Sequence, residues 1–165
     1  MRQHTLTPQA VGEIFTHPRE WEPLINDRLI DFIRINITKV GGITPGKKIA
    51  AKAESNGVRL GSYAGCSSPV AVAATLHVNL NAYSFGAMEW NSWKYMEDVM
   101  SEMFPGLPQV RSGYMYANDQ PGLGIGINEK MASKFPCPED SLGMDVHDVP
   151  LWTTTRTPDG SSTRP

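Results

Sequence analysis

The chain has 165 residues, a net charge of -2 and an isoelectric point of about 6.1, enough for one domain with a core or for part of a larger one. The absence of a basic cluster excludes nucleic acid and anionic membrane as expected partners. No apolar run approaches the roughly 20 residues of a membrane span, the opening Met1-Arg2-Gln3-His4-Thr5 is too polar for a signal peptide, and Cys66 and Cys137 form no disulfide framework. A cytoplasmic protein is the expectation.

In chain order, residues 1–10 are polar and lead into a predicted strand from Gln9 to Phe15. Its Val11-Gly12-Glu13-Ile14-Phe15 sets a single carboxylate in an apolar run, where a charge is costly unless paired or bound to a cation. Thr16-His17-Pro18 predicts a capped helix to about Ile25, broken or irregular at Pro23. Leu29 to Thr38 is rich in β-branched residues and reads as a strand covered on both faces, ended by Gly41-Gly42.

Thr44-Pro45 then predicts a cap and first turn for a helix from Lys47 to Ser55, with Ile49, Ala50 and Ala53 as its apolar stripe and Asn56-Gly57 as its stop. Val58 to Tyr63 is the third predicted strand. Ser68-Pro69 starts a helix to about Asn79, and Tyr83 to Trp90 is the fourth strand. Strands alternating with helices imply a parallel sheet with right-handed crossovers. Residues 91–127 carry aromatics without regular periodicity, Asn128 to Lys134 predicts a short helix, and the Pro-, Gly- and Thr-rich end from Pro136 predicts an extended tail.

These stretches together resemble the mannonate and D-galactonate dehydratase branch of the enolase superfamily, in its C-terminal part. The resemblance is carried by Val11-Gly12-Glu13-Ile14-Phe15, Leu29-Ile30-Asp31-Phe32-Ile33-Arg34, Gly41-Gly42-Ile43-Thr44-Pro45 and Ser68-Pro69-Val70. Phe85-Gly86-Ala87-Met88-Glu89-Trp90, Pro121-Gly122-Leu123-Gly124-Ile125, Asn128-Glu129-Lys130, Arg156-Thr157-Pro158-Asp159-Gly160 and Arg164-Pro165 extend it over nearly the whole chain.

The resemblance implies an α/β fold, the C-terminal half (strands five to eight) of a modified (β/α)-barrel plus an extended tail. It divides the chain into a barrel segment, residues 1–135, and a tail, 136–165. It implies a carbon–oxygen lyase that dehydrates a sugar acid, with Mg²⁺ stabilising an enediolate. It assigns Glu13 as one of three metal carboxylates, Glu89 to substrate binding, and the catalytic His position to Tyr63.

Two departures bear on activity. The other two metal carboxylates belong to the family's third and fourth strands, so a truncated chain, inactive alone, is expected. Its expected partner is a missing barrel half or further copies in a homo-oligomer, with a non-catalytic interaction protein as the alternative. Tyr63, with an ordinary pKa of about 10, stands where the family has His, and the loop Ala64-Gly65-Cys66-Ser67 is one residue shorter and lacks Asp.

Each assignment has a plainer alternative. For Glu13 the alternative is a solvated residue just beyond a strand end, against which its apolar neighbours and matching context favour the ligand position; for Tyr63 a packed aromatic is favoured over a catalytic phenol; and Glu89 reads equally as an ion-pair partner of Arg34 or Arg59. Arg34 and Asn36 share a strand face by period two, pointing into a lumen or forming a buried hydrogen-bonded pair. His77 falls on a helical apolar stripe, while His4, His17 and His147 lack metal-site spacing. Cys66 has no basic neighbour to activate it, and Gly122, Gly124 and Gly126 read as turn glycines.

Overall fold

The structure, a computed structural model, describes residues 2–64, 67–91 and 97–136, together with the backbone of Thr155–Arg156 and Ser162–Thr163. Two compact units are present, Met1–Asn128 and Glu129–Pro165. The expectations for Cys66, Cys137, His147 and most of the tail lie outside the described residues. No helix among the described residues is long and apolar enough to cross a membrane.

The first unit is built on a four-stranded parallel sheet, β1 (Ala10–Val11), β2 (Phe32–Asn36), β3 (Arg59–Tyr63) and β4 (Phe85–Glu89), ordered as in the sequence. The crossovers are α1 (Pro18–Asn26), α2 (Ile43–Ser55) and α3 (Pro69–Asn81). Period two sorts the strand residues. Ile33, Ile35, Leu60 and Ser62 are buried in the helix-backed core, with Ile25, Ile49, Ala53 and Val58. Arg34, Gly61 and Tyr63 alternate with them toward the other face.

The first strand is shorter than the Gln9 to Phe15 expected. Gly12 adopts φ +127°, a conformation that L side chains rarely take, and the Phe15 amide donates to the Gly12 carbonyl at 3.1 Å. Glu13 therefore sits in a turn beyond the strand end, not within an apolar strand, and Ile14 is exposed.

The second strand is trimmed by side chains that compete for the backbone. Asp31 Oδ2 accepts from the Gln9 amide at 2.9 Å, and Asn36 Oδ1 accepts from the Thr38 amide at 3.0 Å.

Helix α1 continues through Pro23. His17 and Glu20 form a capping box at its start, and Trp21 and Ile25 bury its apolar side. Helix α2 begins at Ile43 with Gly42 as its cap, so Thr44-Pro45 lies inside the first turn, where a missing N–H loses no helical bond. Helix α3 keeps the expected Ser68-Pro69 device, Ser68 Oγ accepting from the Ala71 amide at 3.2 Å.

Beyond β4 the first unit holds α4 (Glu97–Met103) and an antiparallel hairpin, β5 (Gln109–Arg111) with β6 (Tyr114–Tyr116). The second unit contains α5 (Glu129–Ala132) and an antiparallel pair, β7 (Thr155–Arg156) with β8 (Ser162–Thr163).

Candidate functional site at the strand ends

Parallel strands in sequential order deliver their carboxyl ends to one rim, where the polar cluster forms. Register aligns Asn36 of β2 with Tyr63 of β3, and Tyr63 with Glu89 of β4. Arg34 stands two residues earlier on β2, and its length carries the guanidinium up to that row. Between Leu60 and Gly61 the β3–β4 register shifts, leaving Gly86 as the extra residue before Ala87 and Glu89. A Cβ at Gly86 would collide with the Phe32 ring, so the bulge needs glycine.

Arg34 is the hub. Its Nη1 donates to Glu13 Oε2 at 2.5 Å and its Nε to Glu89 Oε2 at 2.8 Å, while Nη2 also contacts Glu89 Oε2. The guanidinium lies over the Tyr63 ring, 4.7 Å from its centroid. Burial acts to lower the Arg34 pKa, but the hydrogen bonds to Glu13 and Glu89 outweigh it and hold the group above its ordinary range. The three side chains are 22%, 32% and 48% exposed for Arg34, Glu13 and Glu89. The cluster is open to a ligand.

The structure therefore gathers Glu13, Tyr63 and Glu89 around one cation. The Glu89 alternatives resolve geometrically toward Arg34. Arg59 instead stacks on Phe32, 5.5 Å from the ring centroid, and donates to the Phe85 carbonyl at 3.1 Å. Asn36 is buried beside the cluster, its Oδ1 also accepting from Thr38 Oγ1 at 2.7 Å. On the opposite face Asn79 Nδ2 donates to Ser62 Oγ at 2.8 Å, tying α3 to β3. His77 is half-buried on α3.

Period two puts Arg34 and Asn36 on one strand face but leaves a lumen-facing and a buried hydrogen-bonded arrangement equally open, and does not make Arg34 central. The signal was available in the spacing of Arg34 and Asn36. A second concavity of about 790 Å³ lies between α4 and the hairpin, lined by Trp90, Glu97, Asp98, Arg111, Tyr116 and Asn118 among others. It includes none of Glu13, Arg34, Tyr63 or Glu89.

A Mg²⁺ ion prefers six oxygen ligands in octahedral array. Among the described residues no three His, Cys, Asp or Glu side chains group to hold a metal. Glu13 supplies one carboxylate, already paired with Arg34. The described residues by themselves do not fit the ion.

A parallel sheet backed by helices, with charged and aromatic groups at its strand ends, defines an α/β protein. The chain belongs to the enolase C-terminal domain-like family, whose profile matches residues 1–131. It is 48% identical over its whole length to a D-galactonate dehydratase family member, RspA, of Pantoea ananatis, covering 37% of that protein. It is 45% identical to another member from Musicola paradisiaca, again covering 37% of it.

Among solved structures, an enolase from Pantoea ananatis with bound D-gluconate and Mg aligns with a TM-score of 0.80 and 47% identity. That alignment covers 99% of this chain and 37% of the other. A mandelate racemase/muconate lactonizing enzyme from Jannaschia sp. CCS1 aligns at 0.73 and 28% identity, covering 82% and 34%. The chain thus spans little more than a third of the length of these relatives.

Proposed function

We propose that the strand-end cluster is the acid-sugar-binding rim of a sugar-acid dehydratase, with Arg34 anchoring the substrate carboxylate and Glu89 receiving its hydroxyls. The observation that carries this reading is the convergence of Glu13, Tyr63 and Glu89 on one half-buried guanidinium at the C-terminal ends of parallel strands. A guanidinium matches a planar carboxylate by its geometry and its permanent charge. The bound D-gluconate and Mg of the Pantoea ananatis enolase support the ligand class.

Within this proposal Glu13 is one ligand of a Mg²⁺ site whose other ligands come from another stretch of polypeptide. Residues 1–135 are the barrel segment and 136–165 the tail. Tyr63 orients Arg34 through its ring. The 165 residues alone bind the sugar acid and do not dehydrate it.

Titration calorimetry with D-gluconate and D-galactonate tests this. Saturable binding that Glu89→Ala weakens is expected, with no keto product formed. Absence of binding to either sugar acid sinks the reading. The alternative, a non-catalytic interaction module, is favoured by β1 and β4 each having one side that no strand pairs among the described residues.

A further inference from the structure

One buried amide at the rim is only half used. Asn36, the last residue of β2, is 4% exposed, and its side chain makes its hydrogen bonds through a single atom. Oδ1 accepts from the Thr38 amide at 3.0 Å and from Thr38 Oγ1 at 2.7 Å, which fills both lone pairs of that oxygen. The Thr38 N–H can only donate, so the atom facing it has to be the oxygen. Turning the amide over would set one donor against another. The Nδ2 group is thereby fixed opposite Thr38, and its two N–H bonds meet no acceptor among the described residues. Buried donors in that state are uncommon.

The sheet says where this donor stands. Asn36 shares a strand face with Arg34 by period two. It pairs in register with Tyr63, and Tyr63 pairs with Glu89. The row at the strand ends therefore holds the Asn36 amide, the ring on which Arg34 stacks, and the carboxylate that accepts from Arg34.

We propose that Asn36 Nδ2 is a second donor to the carboxylate of the sugar acid, working beside the Arg34 guanidinium. This rests on the sugar-acid reading of the rim and names the residue that completes recognition of the acid group. Donor chemistry selects the carboxylate over a hydroxyl. A carboxylate oxygen only accepts, which suits an NH₂ group that only donates. A hydroxyl also brings a proton, and the Asn36 oxygen has no lone pair left to receive it. A carboxylate held by a guanidinium still has accepting capacity for a further N–H, and such charge-assisted bonds are the strong ones. Thr38 is the positioning residue, since its two bonds fix which way the amide faces.

Two substitutions and one spectroscopic signal on the full 165-residue chain test this. Asn36→Ser removes the NH₂ group without adding charge and keeps an oxygen that can accept from the Thr38 amide. It should weaken D-gluconate about tenfold in titration calorimetry, with an unchanged circular dichroism spectrum. Asn36→Asp, which sets an anionic oxygen where the donor stood, should weaken it further. In the wild type the Asn36 side-chain NH₂ pair, assigned by its loss in Asn36→Asp, should shift saturably in ¹H–¹⁵N correlation spectra with D-gluconate and stay in place with neutral D-glucitol. That signal decides the matter even if a variant fails to fold. An unmoved NH₂ pair, an equal shift with D-glucitol, or folded variants that bind as the wild type does overturn this inference alone when gluconate binding is present and lost in Arg34→Gln. A wild type that binds no gluconate overturns it together with the reading of the rim.

Discussion

Arg34 Nη1 lies 2.5 Å from Glu13 Oε2, so the carboxylate that the family resemblance assigns to a metal already holds a cation. The same guanidinium reaches Glu89 from its other edge. Two carboxylates that would repel one another are thereby held on one rim.

That pairing sets the response to metal. One carboxylate competing with a guanidinium is a poor Mg²⁺ site. Titration calorimetry with MgCl₂ on the chain alone should show no saturable binding below millimolar concentration, and EDTA should leave the melting temperature unchanged.

In the proposed rim Tyr63 acts through the ring on which Arg34 stacks. Stacking of a partly exposed cation on an aromatic face is worth about 0.5–1 kcal/mol. Tyr63→Ala should weaken gluconate binding roughly two- to fivefold on that basis. Tyr63→Phe, which keeps the ring, should weaken it less; equal losses in calorimetry would reject the stacking role.

Gly12 is the backbone element that places Glu13. A Cβ there would stand 3.0 Å from Ile33 Cδ1 and 3.0 Å from Phe15 Cδ2, at φ +127°. Gly12→Ala should destabilise the fold by about 1–3 kcal/mol, read by urea denaturation. Ser68→Ala, which removes the α3 cap, should cost about 1 kcal/mol in the same experiment.

Acid sensitivity follows from two depressed carboxylates. Asp31 is lowered chiefly by its hydrogen bond from Arg2, then by the Gln9 amide, and Glu20 by the Thr16 and His17 amides. A carboxylate whose folded pKa is lowered contributes stability above its unfolded value, lost as pH falls through the folded one. Melting temperature should therefore drop as pH falls below the ordinary values of 3.8 and 4.5. Asp31→Asn should flatten that dependence.

The strand–helix alternation was legible because periodicity and caps are local. Ser68-Pro69 started α3 where the sequence placed it, and Ile49, Ala50 and Ala53 formed the buried stripe of α2. Element ends were less legible, because side-chain competition for the backbone at Asp31 and Asn36, and the positive φ at Gly12, cut strands short. Pro23 was overruled by burial of Trp21 and Ile25. At the site, Glu13, Tyr63 and Glu89 came from the resemblance, while the pairing of both carboxylates with Arg34 depends on how far apart three strand ends lie. Periodicity along one strand does not contain that distance. The hairpin of β5 and β6 was missed because its three-residue strands are too short to show a period.

The most direct test of the account is an ¹H–¹⁵N correlation titration of the chain with D-gluconate. Shift changes centred on the amides of Glu13, Arg34, Tyr63 and Glu89, saturable in the wild type and lost in Arg34→Gln, are the expected result. Shift changes centred elsewhere, or an unchanged titration in Arg34→Gln, would contradict it.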